Sequence, residues 1–333
     1  MKDSFGRTID YLRISLTDRC NLRCSYCMPR EGVELTSHSE ILSLEEVLRV
    51  SEIMAGLGIK KIRLTGGEPL LRKNLVWLVE KLGKIPGIEK LALTTNGIIL
   101  KEMLPRLAGA GLKEVNISLD TLERENYQKI TGSDSLMEVL AGIDAACEAG
   151  LKVKINCVPV KELNSSDLKE LAALSKDREI DVRFIELMPL GCGRQYTHIP
   201  TEDILKSLEE EYGEYEEITT GKEKSVASYV RFKDFKGKTG FITPLSHAFC
   251  SNCNRIRLSS EGYLKLCLAY DHGVDLRKML RNSCSDEEIV NVIIKAVCEK
   301  PAAHGFIKEK ENGEIPELIK PEEEKRNMNK IGG

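Results

Sequence analysis

Six strand-like runs, at residues 11–16, 60–65, 90–95, 114–119, 152–159 and 181–188, alternate with stretches whose apolar residues recur at helical spacing. Such βα repetition demands a parallel sheet, either open and doubly wound or curved into a barrel. Parallel strands covered on both faces read as almost continuously apolar. These runs are apolar on one side only. Leu12, Ile14, Leu16, Ile62, Leu64, Val115, Ile117, Leu119, Val153 and Ile155 share one face. Arg13, Ser15, Arg63, Thr65, Thr94, Asn96, Asn116, Ser118, Asp120, Lys154 and Asn156 share the other, because successive side chains on a strand point to opposite sides. A closed eight-stranded barrel fills its interior with branched apolar layers. A polar lining instead predicts an α/β fold built as an incomplete (β/α)6 TIM-like barrel, whose lumen holds a polar ligand and water. Arg13, Arg63 and Lys154 make that ligand an anion. The competing reading is a sheet whose polar face meets solvent, which parallel sheets rarely allow.

The pattern changes after Thr201. A helix over 202–212 leads into short antiparallel signals at 226–235 and 239–243 around a turn at 236–238, then a hairpin of 255–258 and 263–268. Helices are expected over 274–282 and 286–299. Ser43 with Glu46, and Ser285 with Glu288, are capping boxes that open two of the helices. Residues 308–330 are charged and poor in apolar side chains, and the chain ends in Gly332-Gly333. The expected organisation is a partial barrel over 1–200, a C-terminal antiparallel and helical extension over 201–307, and a flexible tail over 308–333. A net charge of −3 excludes a global basic field for nucleic acid. No run of roughly 18 apolar residues suggests a membrane span, and no secretory leader is evident, so a cytoplasmic protein is expected.

Eleven cysteines, an odd number, argue against a disulfide framework in such a chain. Cys147, Cys157, Cys192, Cys284 and Cys298 are scattered and read as core or incidental thiols. The other six form two trios. Cys20, Cys24 and Cys27 follow the first strand as C-x3-C-x2-C, at the end of a parallel strand where α/β folds place their sites. Three thiolates on one loop can hold a four-iron cluster and leave one iron open to a ligand. Zinc would need a fourth ligand and more often uses paired C-x2–4-C knuckles. Cys250 and Cys253 form C-x2-C, with Cys267 after 13 intervening residues. A zinc ribbon completed by Cys284 or His247 is the alternative there. Arg255 and Arg257, two apart on a strand, present their forks on one face, suited to phosphate or carboxylate. Thr65-Gly66-Gly67-Glu68-Pro69 ends the second strand, where two glycines let backbone groups approach a ligand closely and Glu68 adds an acceptor.

C-x3-C-x2-C after the first strand with G-G-E-P after the second resembles the radical S-adenosylmethionine superfamily, whose partial barrel agrees with the polar lining. The second trio, the Arg-x-Arg pair and the terminal Gly-Gly narrow the resemblance to the GTP 3′,8-cyclase family of molybdenum-cofactor biosynthesis, over residues 7–333. That resemblance implies that Cys20, Cys24 and Cys27 hold a [4Fe–4S] cluster whose open iron chelates S-adenosylmethionine, and that Tyr26, Gly67, Ser118 and Met188 contact this cofactor. It implies GTP contacts from Arg13, Arg63, Thr94, Lys154, Arg255, Ile256 and Arg257. It implies a second [4Fe–4S] cluster on Cys250, Cys253 and Cys267 whose open iron coordinates guanine. Arg13, Arg255, Arg257, Gly332 and Gly333 are implied to be needed for catalysis.

The implied reaction is lyase chemistry. An adenosyl radical takes hydrogen from ribose C3′, the carbon radical adds to guanine C8, and reduction gives 3′,8-cyclo-7,8-dihydroguanosine triphosphate. The implied partners are an electron donor of reductase or flavodoxin type and a downstream cyclic pyranopterin monophosphate synthase. A homodimer is compatible with the resemblance; nucleic acid and membrane are not expected. A radical enzyme acting on a peptide, and a zinc-stapled binding module, are the competing readings. The first usually brings more auxiliary cysteines; the second gives no reason for the G-G-E-P rim or the cationic face.

Overall fold

A computed structural model describes residues 1–219, 226–306, 324, 326 and 328–331. Its strands in chain order are β1 (Tyr11–Ser15), β2 (Lys61–Thr65), β3 (Lys90–Thr95), β4 (Glu114–Ser118), β5 (Lys152–Cys157), β6 (Asp181–Ile185), β7 (Tyr215–Ile218), β8 (Ser228–Phe232), β9 (Lys238–Ile242), β10 (Arg255–Leu258), β11 (Tyr263–Lys265) and β12 (Gly273–Asp275). Each of β1 to β6 is followed by at least one helix, so the six expected βα repeats are present. No helix among the described residues is long and apolar enough to cross a membrane.

The chain divides into two compact units. The first comprises Met1–Cys20, Glu34–Ala92 and Cys250–Gly333. Within it the strand order is β12-β11-β10-β1-β2. β1 pairs in parallel with both β10 and β2, while β11 pairs antiparallel with β10 and β12. Leu12, Ile14, Ile62, Leu64, Ile256 and Leu258 are each at most 1% exposed and form the apolar side. The helix Leu44–Gly56 buries Val47, Val50, Ile53 and Met54, and the helix Leu75–Leu82 buries Leu75, Leu78, Val79 and Leu82. Both capping boxes form: Ser43 with Glu46, and Ser285 with Glu288 ahead of Asp286–Cys298.

The second unit comprises Asn21–Val33 and Leu93–Phe249. Its order is β4-β5-β6-β9-β8-β7, parallel from β4 to β9 and antiparallel from β9 to β7. Val115, Ile117, Val153, Ile155 and Val182 supply its apolar side. Tyr212, Tyr215, Phe232 and Phe235 stack edge-on or tilted, with centroids 5.2–5.9 Å apart, and close the antiparallel end.

The polar faces are also withdrawn from water. Arg63, Thr65, Asn116, Asp120 and Lys154 are each at most 8% exposed. A solvent-facing sheet is thereby ruled out at these positions, and the burial of so many polar groups needs partners.

Two local expectations are corrected and one strand is added. The helix expected over 274–282 begins only at Leu276: Gly273–Asp275 is β12, held by β11, and the Asp275 carboxylate caps the helix by accepting from Lys278 N at 3.1 Å. Tyr215–Ile218, to which the sequence assigned no element, is β7, an edge strand too short and too acidic for an alternation signal. The hairpin turn expected at 236–238 begins earlier, with Asp234 in the left-handed region at φ 66°. Of the tail, 308–323, 325, 327 and Gly332-Gly333 lie outside the described residues. The described part ends in the short helix Met328–Ile331, with Ile331 fully buried.

Candidate functional site

In the first unit the register aligns two rows of side chains on the polar face. Lys61, Tyr11 and Arg255 are neighbours across β2, β1 and β10; Arg63, Arg13 and Arg257 are the next row. Side chains at matching positions of in-register strands share a face, so five cations and one phenol occupy it. Burial holds the Arg13 guanidinium well below its usual range, and Arg257, Arg63 and Arg255 add repulsion. Arg257 is drawn down to about 10 by burial and by Arg255. Like charges gathered in a low dielectric destabilise the fold unless an anion joins them. Ile256, 1% exposed, points to the opposite face, so only its main chain could meet a ligand bound by the arginines.

Cys250, Cys253 and Cys267 belong to the same unit and sense one another electrostatically. Burial raises the Cys250 and Cys267 thiols. At Cys253 burial is outweighed by Lys300, Arg255 and Arg7, together with the backbone N–H of Arg255, and the thiol falls to about 7. Two of these cations escaped sequence reasoning. Arg7, 7% exposed, ion-pairs with Asp3 and donates to the carbonyls of Cys250 and Ala302 at 2.9 Å and of Pro301 at 2.7 Å. Lys300, 3% exposed, donates to the Leu266 carbonyl beside Cys267. Neither residue sits in a periodic pattern, so nothing in the sequence marked them.

The G-G-E-P turn packs on the segment leading to Cys20. Gly67 N donates to Thr17 O at 2.7 Å and Glu68 N to Arg19 O at 2.8 Å. A Cβ on Gly67 would lie 2.3 Å from the Arg19 carbonyl oxygen, and one on Gly66, at φ 153°, 2.6 Å from that of Thr17. Both glycines are therefore required by close backbone approach. Glu68 is fully buried, and its carboxylate accepts from Leu70 N at 2.9 Å, so it caps the turn that follows.

In the second unit Cys24 and Cys27 are joined by a tight turn, with Cys27 N donating to Cys24 O at 2.9 Å. Between them Tyr26 donates its hydroxyl to Asp120 Oδ2 at 2.6 Å. Burial pushes the Tyr26 phenol well above 10, reinforced by Asp120. Burial also lifts Asp120 to about 6, against hydrogen bonds from Tyr26 and Val158 N. Tyr26 thus has its ring, not its hydroxyl, to offer a cofactor. Ser118 and Thr94 lie on β4 and β3 and Met188 just beyond β6, all partly exposed. Lys154 is paired with Glu114 at 3.1 Å, an acidic partner that the sequence reading overlooked. Arg183, also overlooked, is 8% exposed and donates from Nε to Asn156 Oδ1 at 3.0 Å. Asn116 Oδ1 is buried and makes no hydrogen bond within the protein.

Among the described residues no cysteine is in a disulfide, and no three His, Cys, Asp or Glu side chains converge on one ion-sized point. A four-iron cluster is larger, each iron taking one thiolate. The donor sets fit it by chemistry: three thiols in each, with cations beside the second favouring thiolate. Of the scattered cysteines, Cys157 is fully buried and Cys298 exposed.

Residues 14–175 match the radical SAM superfamily and residues 180–306 match Molybdenum Cofactor Synthesis C. A "GTP 3',8-cyclase" of Clostridium perfringens is 44% identical over 334 residues, covering 100% of both chains. One from Thermodesulfovibrio yellowstonii is 46% identical over 90% of this chain and 94% of its own. "Molybdenum cofactor biosynthesis protein 1" of Drosophila melanogaster is 41% identical over 91% of this chain and 54% of its own. Among solved structures, Streptococcus suis SuiB bound to S-adenosylmethionine aligns with a TM-score of 0.59 at 17% identity, over 85% of this chain and 68% of that one. This last likeness shows the fold alone. The two matched segments and the full-length identities lead to one conclusion: the chain belongs to the GTP 3′,8-cyclase family of the radical S-adenosylmethionine superfamily.

Proposed function

We propose that this chain is a lyase that converts GTP into (8S)-3′,8-cyclo-7,8-dihydroguanosine 5′-triphosphate, the first step of molybdenum-cofactor biosynthesis. The observation that carries the reading is the pair of cationic rows on β2, β1 and β10, one strand of which follows directly on Cys253. Five cations on one face, Arg63 and Arg257 buried and the others half-buried, suit a polyphosphate. Cys20, Cys24 and Cys27 would hold one [4Fe–4S] cluster and Cys250, Cys253 and Cys267 a second. When bound, the first cluster with S-adenosylmethionine supplies the one-electron chemistry that opens an unactivated C–H bond.

The chain's own residues bind, orient and exclude water. Arg13, Arg63, Arg255 and Arg257 take the triphosphate as forks; Thr94, Lys154 and the Ile256 main chain complete the GTP contacts. Lys154 does so while paired with Glu114, so it serves more to position than to neutralise. Gly67 offers backbone groups at the turn on Thr17–Arg19, and the Tyr26 ring, Ser118 and Met188 line the S-adenosylmethionine contacts. Holding the reacting atoms in aim is the main contribution, since a misdirected radical reacts elsewhere. Gly332-Gly333 completes the catalytic set. This reading also implies a cytoplasmic setting, a reductase or flavodoxin-type electron donor and a downstream synthase acting on the product.

The test is incubation of anaerobic, cluster-loaded protein with GTP, S-adenosylmethionine and reductant, with product identification. Cyclised nucleotide is expected. Cleavage of S-adenosylmethionine without any nucleotide product would overturn the substrate and favour a peptide.

A further inference from the structure

Tyr11 is the one uncharged position in the two cationic rows. It sits between Lys61 and Arg255 and one step along β1 from Arg13. Its hydroxyl accepts from Arg63 Nε at 2.5 Å. The Lys61 ammonium stands 4.9 Å from its ring centroid and the Arg63 guanidinium 6.0 Å. It lies on the alternation that carries Arg13. We infer that Tyr11 is a positioning residue of the triphosphate site, holding the Arg63 fork in its bound orientation and separating the charges of the lower row. The inference rests on the GTP reading above.

An arginine gripped through Nε has its plane set, so its Nη edge meets a phosphate without prior ordering. The same contact couples the site to protons. Lys61 and Arg63 on β2, Arg13 on β1, and Arg255 and Arg257 on β10 are the charged groups of the two rows around the phenol. Burial alone would raise Tyr11, but Arg63, Arg13, Lys61 and Arg255 outweigh it and draw it to about 7. Above neutral pH the phenolate neutralises part of the row that an anion must occupy. An arriving triphosphate returns the phenol to its protonated form, so binding takes up a proton.

The test measures GTP affinity of cluster-loaded protein, without S-adenosylmethionine, from pH 6 to 8.5. Titration calorimetry in two buffers of different ionisation enthalpy reads the protons. Wild type is compared with Tyr11→Phe, so the titration of GTP itself is common to both. Wild type is expected to bind roughly tenfold more tightly below pH 6.5, with the advantage shrinking as pH rises through 7, and Tyr11→Phe is expected to lose the proton uptake. Should Tyr11→Phe fail to hold iron or fold, Arg63→Lys keeps the charge without Nε and is expected to lose affinity by a similar factor at low pH. When both variants fold, their losses should not add in the double variant. A constant affinity ratio across pH with unchanged proton uptake, or full affinity in Arg63→Lys, overturns the inference. Absence of GTP binding by wild type overturns the triphosphate site itself, and this role with it.

Discussion

Glu324 tests how the end of the chain is held. Its side chain and that of Lys265 on β11 are both fully buried and ion-paired. Lys265 also donates to Tyr270 O at 2.8 Å. Arg326 bonds Glu324 at 2.9 Å and Asp271 at 2.6 Å, and Glu324 N donates to Ala269 O at 3.0 Å. Burial alone would raise the Glu324 carboxyl; the hydrogen bonds from Arg326 and Lys265 instead hold it at about 2, down from 4.5. That depression is worth roughly 3 kcal/mol at neutral pH. Removing one partner of a buried pair typically costs about 3–5 kcal/mol, because the other charge is left in low dielectric. Glu324→Gln should therefore lose about 3 kcal/mol locally. The protein escapes the penalty by undocking the last segment, so global unfolding should move little. Native-state hydrogen exchange read by mass spectrometry at Glu324 and over Met328–Ile331 should lose protection on the order of a hundredfold at pH 7. The sign with pH follows from the depressed value: the contribution is full above 4.5 and is lost as pH falls toward 2, and Glu324→Gln should lack that acid limb. The double variant Lys265→Met with Glu324→Gln removes the stranded cation and should regain part of the protection. Protection in Glu324→Gln within threefold of wild type would show that the pair does not anchor the segment.

Arg13→Ala, Arg255→Ala and Arg257→Ala should each lower kcat/KM for GTP by roughly 10- to 150-fold, from about 1.5–3 kcal/mol per charged hydrogen bond; Arg13→Ala should melt no lower than wild type, since Arg13 is repelled by Arg257 and Arg63, and unchanged turnover in all three would remove their assigned role. Gly67→Ala should weaken S-adenosylmethionine binding at least tenfold in equilibrium dialysis, because its Cβ would lie 2.3 Å from the Arg19 carbonyl oxygen; normal affinity would show that the turn yields without consequence. Cys253→Ser should reduce iron in reconstituted protein from about eight to about four atoms per chain, and an unchanged iron content would refute the second cluster. Deleting Gly332-Gly333 should leave iron content intact and lower cyclisation, and full activity would refute a catalytic part for the tail.

Strand alternation alone determined most of the frame. A two-residue period is local, so Arg13, Arg63, Asn116 and Lys154 could be assigned to one kind of face before any pairing was known, and the capping boxes at Ser43 and Ser285 needed only a three-residue spacing. The spacing of Cys20, Cys24 and Cys27 likewise belongs to a single loop, and that of Cys250, Cys253 and Cys267 to one hairpin and its flanks. Tyr11 and Lys61 obey the same alternation and were within reach; they were passed over because a tyrosine and a strand-end lysine look ordinary without neighbours. Register is a property of strand pairing, and only the tertiary structure set Tyr11 beside Lys61 and Arg255 or gave Lys154 its partner Glu114. The same holds for β12, whose Gly273–Asp275 is a strand only because β11 is there to bond it. Arg7, Lys300 and Glu324 lie far along the chain from Cys250, Leu266 and Lys265, the residues they hold. Such contacts depend on where the chain returns in space, and buried charge is stable only where that return brings a partner.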